Sequence, residues 1–185
     1  MAKVYAFMAN GSEEVECLAV VDVLRRAGID TALVSINETA EVTGSHGVRI
    51  ICDTTIGSAD LSDADVLFLP GGMPGTMHLG ACELLTDALR AQYAAGKRMA
   101  AICAAPSVLG ELGFLEGKRA TCFPGFEDRL RGASYTKEGV VTDGTVTTAR
   151  GLGYALDLGL ELVRLLISEQ AAKELKAKIQ YDQFS

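Results

Sequence analysis

Cys103 is the residue of this sequence best placed to act as a nucleophile. It follows the apolar segment Arg98–Ile102, which predicts a strand, and precedes residues 105–112, which predict a helix with Pro106 near its first turn. Its small neighbours permit a sharp strand-to-helix turn, like the nucleophile elbow of other α/β enzymes. Because a helix N-terminus lowers the pKa of a thiol, to roughly 3.5–7.5 in known cases, we expect a reactive thiolate at Cys103.

The other four cysteines carry no comparable pattern. Cys17, Cys52, Cys82 and Cys122 lie within or beside apolar segments, and free cysteine is most often a buried core residue. The five cysteines form no CxxC or CxxH pair, so neither a disulfide framework nor a zinc site is indicated. We therefore expect no metal and no cofactor.

Three carboxylates, Glu13, Glu14 and Glu16, begin the first predicted helix, where negative charge ordinarily favours the positive end of the helix dipole. For Glu16 alone, a position at the rim of strand ends would bring the carboxyl group towards Cys103. An ionised carboxylate would raise the thiol pKa by repulsion. The pairing therefore requires a protonated Glu16, an acid able to move protons near neutral pH.

Backbone amides are the third component of the predicted site. Gly71 and Gly72 follow the apolar run Val66–Leu69, and glycine permits positive φ and close approach of the backbone to a ligand. A Gly-Gly pair is usually only a turn, but its place after a predicted buried strand favours a binding role. With the amide of Ala104, we expect these two amides to form an oxyanion hole.

Alternating strands and helices must position these groups. The pattern predicts a strand over Lys3–Met8, a helix ending before Gly28, and a strand over residues 30–36; two short strands flank residues 44–47, a helix covers 81–95, a β-excursion covers 135–149, and two helices follow, the first over 152–167. This order predicts one α/β domain over residues 1–185, with a mostly parallel sheet, helices on both faces and ligands beyond the carboxyl ends of the strands.

Charge and composition exclude several classes of partner. Seventeen basic and twenty-four acidic residues give a net charge of −7, and the basic residues are scattered, so neither nucleic acid nor an anionic membrane is an expected partner. The apolar stretch that begins the sequence is too short for a secretory or membrane segment. We therefore expect a cytoplasmic protein.

Four motifs give the chain a family resemblance. Residues 11–16 (GSEEVE), 69–72 (LPGG), 100–106 (AAICAAP) and 148–151 (TARG) resemble the DJ-1/ThiJ/PfpI superfamily, particularly its DJ-1 branch, over nearly the whole chain. The resemblance implies a flavodoxin-like three-layer sandwich, usually a homodimer. It also implies that Cys103 is an oxidation-prone nucleophile, that Glu16 is its protonated partner, and that Gly71 and Gly72 are backbone donors.

Histidines are where the chain departs most clearly from these relatives. In the resemblance to animal DJ-1 proteins, Phe123 takes the place of a histidine that precedes a proline. In the resemblance to protease-like members, Ala104 takes the place of a histidine that follows the nucleophile. No histidine follows His78, so the late His-x-Glu of glutamine amidotransferases is missing as well. A histidine-activated peptidase is therefore disfavoured, and His46 and His78 are accessory candidates only, from the same or a partner subunit.

A second departure concerns the loop after the last predicted strand. The family's Arg-Gly-Pro-Gly stretch is replaced by Arg150-Gly151-Leu152-Gly153. Arg150 is retained and is a further accessory candidate.

Three functions are compatible with a reactive Cys103. The resemblance implies a cofactor-independent enzyme of the glyoxalase III or protein deglycase type, which acts on a small carbonyl compound such as methylglyoxal or on glycated protein. The alternative is a redox-sensing or stress-protective protein whose Cys103 is oxidised to sulfenic or sulfinic acid. A role in thiamine precursor (thiazole) synthesis ranks last, because no P-loop or dinucleotide motif supports it.

Overall fold

Seven strands form the central sheet of the protein, whose computed structural model describes residues 2–181. In chain order the strands are β1 (Lys3–Met8), β2 (Asp30–Ser35), β3 (Glu41–Thr43), β4 (Arg49–Ile51), β5 (Thr54–Thr55), β6 (Val66–Leu69), β7 (Arg98–Ile102), β8 (Arg119–Ala120), β9 (Ser134–Tyr135), β10 (Val140–Asp143) and β11 (Val146–Ala149). The sheet order is β10-β11-β7-β6-β1-β2-β5, and all neighbours are parallel except β10 and β11. Strands β3 with β4 and β8 with β9 form separate two-stranded ribbons.

Helices cover both faces of this sheet. They are α1 (Glu14–Arg26), α2 (Gly75–Ala81), α3 (Glu83–Ala94), α4 (Pro106–Glu111), α5 (Ala155–Leu166) and α6 (Glu169–Lys178), with 3-10 turns at Glu127–Arg129 and Leu152–Tyr154. Alternate residues of β1 separate two cores: Val4 and Met8 pack with α1, α5 and α6, whereas Tyr5 and Phe7 pack with α2, α3 and α4. The predicted flavodoxin-like three-layer α/β sandwich is confirmed.

Some element boundaries differ from the sequence-based expectation. The helix predicted over residues 81–95 is two helices, because Cys82 adopts an extended conformation (φ −77°, ψ 106°) that ends α2 and starts α3. The helix predicted from residue 152 begins at Ala155, after one 3-10 turn. Among residues 2–181, no helix is both long and apolar enough to cross a membrane.

The strand order brings three loops to one place. β6 lies between β1 and β7, and all three run parallel, with Val4 opposite Val66 and Phe68 opposite Ala100. From β1 the chain continues to β2 on one side, whereas from β6 it continues to β7 on the other. A reversal of winding of this kind opens a crevice at the carboxyl ends of the strands, and the loops after β1, β6 and β7 meet there.

Candidate functional site

Cys103 lies at a strained backbone turn directly after β7. Its φ is +63°, a left-handed value that is uncommon for residues other than glycine and is concentrated at functional sites. The turn is held from two sides, since the Cys103 amide donates to the Ala149 carbonyl (2.9 Å) and its carbonyl accepts from the Phe123 amide (2.8 Å). The predicted sharp turn at the end of β7 is confirmed.

Glu16 meets Cys103 from the first turn of α1. Its side chain is hydrogen-bonded to the Cys103 thiol, and its Oε2 accepts from the Gly71 amide at 2.9 Å. Gly71 lies against both groups: a Cβ there would stand 2.6 Å from Cys103 Cβ and 2.7 Å from Glu16 Oε2. Only a glycine at this position allows the acid and the thiol to meet.

Burial dominates the ionisation of Glu16, which is 1% exposed. It raises the pKa of the Glu16 carboxyl from 4.5 to about 7, against the opposing effects of hydrogen bonds from Cys103 and from the Gly71 amide. The negative charge of Glu13 also raises this pKa. Glu16 is therefore a buried acid with a raised pKa, and its role as a proton carrier stays a prediction.

The thiol of Cys103 behaves differently from the prediction. Burial is the largest of the effects that raise the pKa of the thiol to about 12. The charge of Glu16 and the hydrogen bond to Glu16 also raise this pKa, and the amides of Ala104 and Gly72 lower it by less. The predicted lowering is contradicted in direction, because burial and the adjacent Glu16 carboxyl outweigh the two backbone amides. Glu16 is the titratable group next to the sulfur.

The structure divides the three predicted backbone donors. The Gly71 amide donates to Glu16, so its assignment to an oxyanion hole is wrong. The amides of Gly72 and Ala104 instead hydrogen-bond Cys103. Gly72 has a φ of +86°, a conformation that only glycine adopts without strain. These two amides are the donors available to an anion formed at or beside the sulfur.

The loops after β1 and β6 touch through their backbones. A Cβ on Gly72 would lie 2.3 Å from the Glu13 nitrogen, and one on Gly75 would lie 2.3 Å from the Ser12 nitrogen. Sequence reasoning missed Ser12 and the specific role of Glu13. Glu13 is the N-cap of α1 and accepts from the Glu16 amide at 2.6 Å. An acidic side chain three residues before Glu16, at the start of a predicted helix, was the sequence signal for this N-cap.

The accessory candidates contact other groups. The His78 Nδ1–H donates to the Asn10 carbonyl (2.9 Å), and His46 Nδ1 lies 3.3 Å from Glu14 Oε2. The Arg150 guanidinium donates to the Lys137 carbonyl (3.1 Å). None of these interactions brings a histidine ring or the guanidinium to the sulfur.

Glu13, Glu14 and His46 form a cluster of possible metal ligands, with one ligand atom of each within 4.8 Å of the others. The Glu14 carboxylate already accepts from the His46 amide (2.8 Å) and the Val48 amide (3.3 Å). Burial acts to raise the pKa of the Glu14 carboxyl, but these hydrogen bonds outweigh it and lower the pKa to about 2. In the fold, the Glu14 side chain links the turn between β3 and β4 to the first turn of α1 through hydrogen bonds.

Glu16 makes the stability of the protein depend on pH. Because its pKa is 4.5 ordinarily and about 7 in the fold, the folded chain retains a proton that the unfolded chain releases between these values. This stabilisation is complete below the lower value and is lost as pH rises to the higher one, by on the order of 3 kcal/mol. Urea unfolding of wild type and Glu16→Gln, which stays neutral, will measure it. A difference in unfolding free energy that does not change with pH would contradict it.

Comparison with known proteins places this geometry in a family. The model of the DJ-1/PfpI family matches residues 2–165. Protein dj-1beta of Drosophila melanogaster is 37% identical over 170 residues, which cover 91% of each chain. The glutathione-independent glyoxalase DJR-1.2 of Caenorhabditis elegans is 31% identical and covers 89% of this chain and 88% of that protein.

A solved structure and two longer relatives complete the comparison. The structure of oxidized DJ-1 from Toxoplasma gondii superposes with a TM-score of 0.95 at 33% identity, over 98% of this chain and 100% of that one. The chain spans only 41% and 44% of two DJ-1 homologs of Arabidopsis thaliana. Motifs, family model and fold agree, and the chain belongs to the DJ-1/PfpI family.

Proposed function

We propose that the protein is a cofactor-independent enzyme that converts reactive dicarbonyls such as methylglyoxal into 2-hydroxy acids. The observation that carries this proposal is the hydrogen-bonded pair of Cys103 and the buried Glu16, with the amides of Gly72 and Ala104 bonded to the same sulfur. A relative named as a glutathione-independent glyoxalase supports it. The same adduct chemistry extends to early glycation products on proteins.

The first step forms a bond between sulfur and the aldehyde carbon. Ionised Glu16 takes the thiol proton while the sulfur of Cys103 attacks, and the aldehyde oxygen becomes an oxyanion. The amides of Gly72 and Ala104 are the donors that would stabilise this charge. Glu16 then returns its proton to the oxygen, which gives a hemithioacetal and restores the carboxylate.

The second step moves hydrogen from the aldehyde carbon to its neighbour. Glu16 removes the C1 proton to give an enediolate, exchanges that proton with solvent, and delivers a proton to C2, while the hydroxyl proton on the first oxygen passes to the second. The product is a 2-hydroxy thioester on Cys103. Water hydrolyses it, with Glu16 taking a proton from the water and giving it to the leaving sulfur. The net reaction adds one water to the dicarbonyl and needs no external oxidant or reductant.

The test is turnover of methylglyoxal by the purified protein in D₂O, followed by NMR. Lactate is expected with deuterium at C2, because a proton held by Glu16 exchanges with solvent between removal and delivery. Mass spectrometry of quenched samples should locate the thioester on the peptide that carries Cys103. Lactate without deuterium, or an adduct confined to other cysteines, would contradict the mechanism.

We propose redox sensing by Cys103 as a second candidate function. The supporting observation is the combination of a half-exposed thiol with a carboxyl group whose pKa is about 7. Peroxide would oxidise the sulfur stepwise to sulfenic and sulfinic acid, releasing one water at each step. A protonated Glu16 and the two amides would then hydrogen-bond the new oxygens.

Peptide mapping after mild peroxide treatment tests this second candidate. Cys103 is expected to gain oxygen first, whereas Cys82, which is also half-exposed but has no acid partner of this kind, is expected to remain a thiol. Oxidation of Cys82 with Cys103 unchanged would eliminate the sensor function.

Two further expectations belong with this proposal. We propose that the protein is a homodimer, as the family resemblance implies, and sedimentation velocity of the purified chain will measure its mass in solution. We also propose a cytoplasmic location, where thiols are kept reduced. A reduced Cys103 is what both candidate functions require.

A further inference from the structure

An apolar cleft is lined by residues whose backbones contact Cys103 and Glu16. It has a volume of about 350 Å³ and is lined by Phe123, Pro124 and residues 150–154. Both walls are tied to the reacting groups. The Phe123 amide donates to the Cys103 carbonyl at 2.8 Å, and the Leu152 amide hydrogen-bonds the Glu16 carboxyl. The cleft is therefore built on two residues that contact the reacting pair.

The walls of the cleft are large apolar side chains that remain exposed. Phe123 is 48%, Leu152 49% and Tyr154 40% exposed. Three such side chains around one concavity form an apolar patch of the kind that marks a binding site.

Two glycines fix the aromatic walls. The Tyr154 ring lies where a side chain at Gly139 would be, since a Cβ there would come within 2.1 Å of it. A Cβ on Gly151 would stand 3.3 Å from the Phe123 ring. The rings therefore pack against backbone, which limits their movement and preserves the shape of the cleft.

The volume indicates what kind of group the cleft takes. An apolar cavity of roughly 150 Å³ is enough to bind benzene, so a cleft of about 350 Å³ accommodates a phenyl ring and would be left largely empty by a methyl group. Polar groups on its walls are few, and the Arg150 guanidinium is bonded to the Lys137 carbonyl.

We infer that this cleft selects α-oxoaldehydes whose second substituent is aromatic or comparably large and apolar. This inference rests on the proposed function. The aldehyde carbon is attacked by Cys103, and the substituent on the neighbouring carbonyl lies between Phe123, Leu152 and Tyr154. Leu152 and Phe123 are specificity-determining residues in this arrangement.

The test compares phenylglyoxal with methylglyoxal. In wild type, kcat/KM for conversion of phenylglyoxal to mandelate is expected to exceed that for methylglyoxal to lactate by at least about 10-fold, since apolar pockets discriminate by 10-fold or more per added carbon group. Leu152→Ser and, independently, Phe123→Ser should reduce that ratio by about 10-fold. Because each variant is compared with wild type, the intrinsic reactivities of the two aldehydes cancel.

Leu84→Ser is the matched control. Leu84 is 59% exposed on α3, outside the cleft, and its replacement should leave the ratio of the two kcat/KM values unchanged. A wild-type ratio near one, or a ratio that neither cleft variant lowers, would overturn the inference while leaving turnover of methylglyoxal in place. Failure of wild type to consume either aldehyde faster than Cys103→Ser would overturn the proposed function together with the inference.

Discussion

Cys103→Ser is expected to form no lactate from methylglyoxal above the background rate. A serine hydroxyl is far less acidic than a thiol, so Glu16, with a pKa of about 7, cannot accept its proton to any useful extent. Loss of the nucleophile from a catalytic unit lowers kcat by about 10⁴-fold or more. A coupled lactate assay, with the intact mass of the protein measured in parallel, gives both the rate and the missing adduct.

Cys82→Ser provides the matched control for this substitution. Cys82 shares the half-exposed class of Cys103 but joins α2 to α3, away from the acid. It should retain the wild-type rate and the adduct on Cys103. If Cys103→Ser forms lactate at the rate of Cys82→Ser, the thiol is not the catalytic group.

Glu16→Gln is expected to lower kcat by about 10²–10⁴-fold, the usual contribution of a positioned general base. A glutamine oxygen can still accept from the Gly71 amide, which donates to Glu16 Oε2 at 2.9 Å in the wild type, so the geometry of the loop is kept. What the amide cannot do is take the thiol proton. Glu83→Gln, an exposed substitution in the first turn of α3, should leave kcat unchanged.

The pH profile separates this role from a purely structural one. Because the base must be ionised, wild-type kcat/KM should rise with pH through the Glu16 pKa of about 7 and level off above it. The residual kcat/KM of Glu16→Gln should not show this rise with pH. A wild-type profile that falls through the same range would show that the protonated acid starts the reaction.

Much of the site followed from patterns that are local in sequence. Cys103 was identifiable because an apolar strand, small residues and a proline-led helix surround it, and the strand order of a doubly wound sheet then directs the loops with Glu16 and Gly72 to the same edge. A left-handed φ at a cysteine is not a sequence property, but a sharp turn between these two elements requires a value of that kind.

The remaining features depend on burial and on individual hydrogen bonds. The Gly71 and Gly72 amides are adjacent in sequence, yet one donates to Glu16 and the other to Cys103, a division that only the backbone geometry decides. The thiol pKa depends on how deeply the sulfur is buried and on the Glu16 carboxyl beside it. Cys82 interrupts a continuous helical pattern by its backbone conformation alone.

The backbone contact between the loops after β1 and β6 has a consequence for the entropy of catalysis. Gly72 and Gly75 lie against the nitrogens of Glu13 and Ser12 with no side chain between them, and the Glu13 amide donates to the Gly71 carbonyl at 2.9 Å, so the two loops are packed and hydrogen-bonded to each other. These contacts restrict the relative movement of the two loops before substrate binds, which lowers the entropy cost of bringing the reacting groups together. The reacting groups are preorganised before the carbonyl arrives.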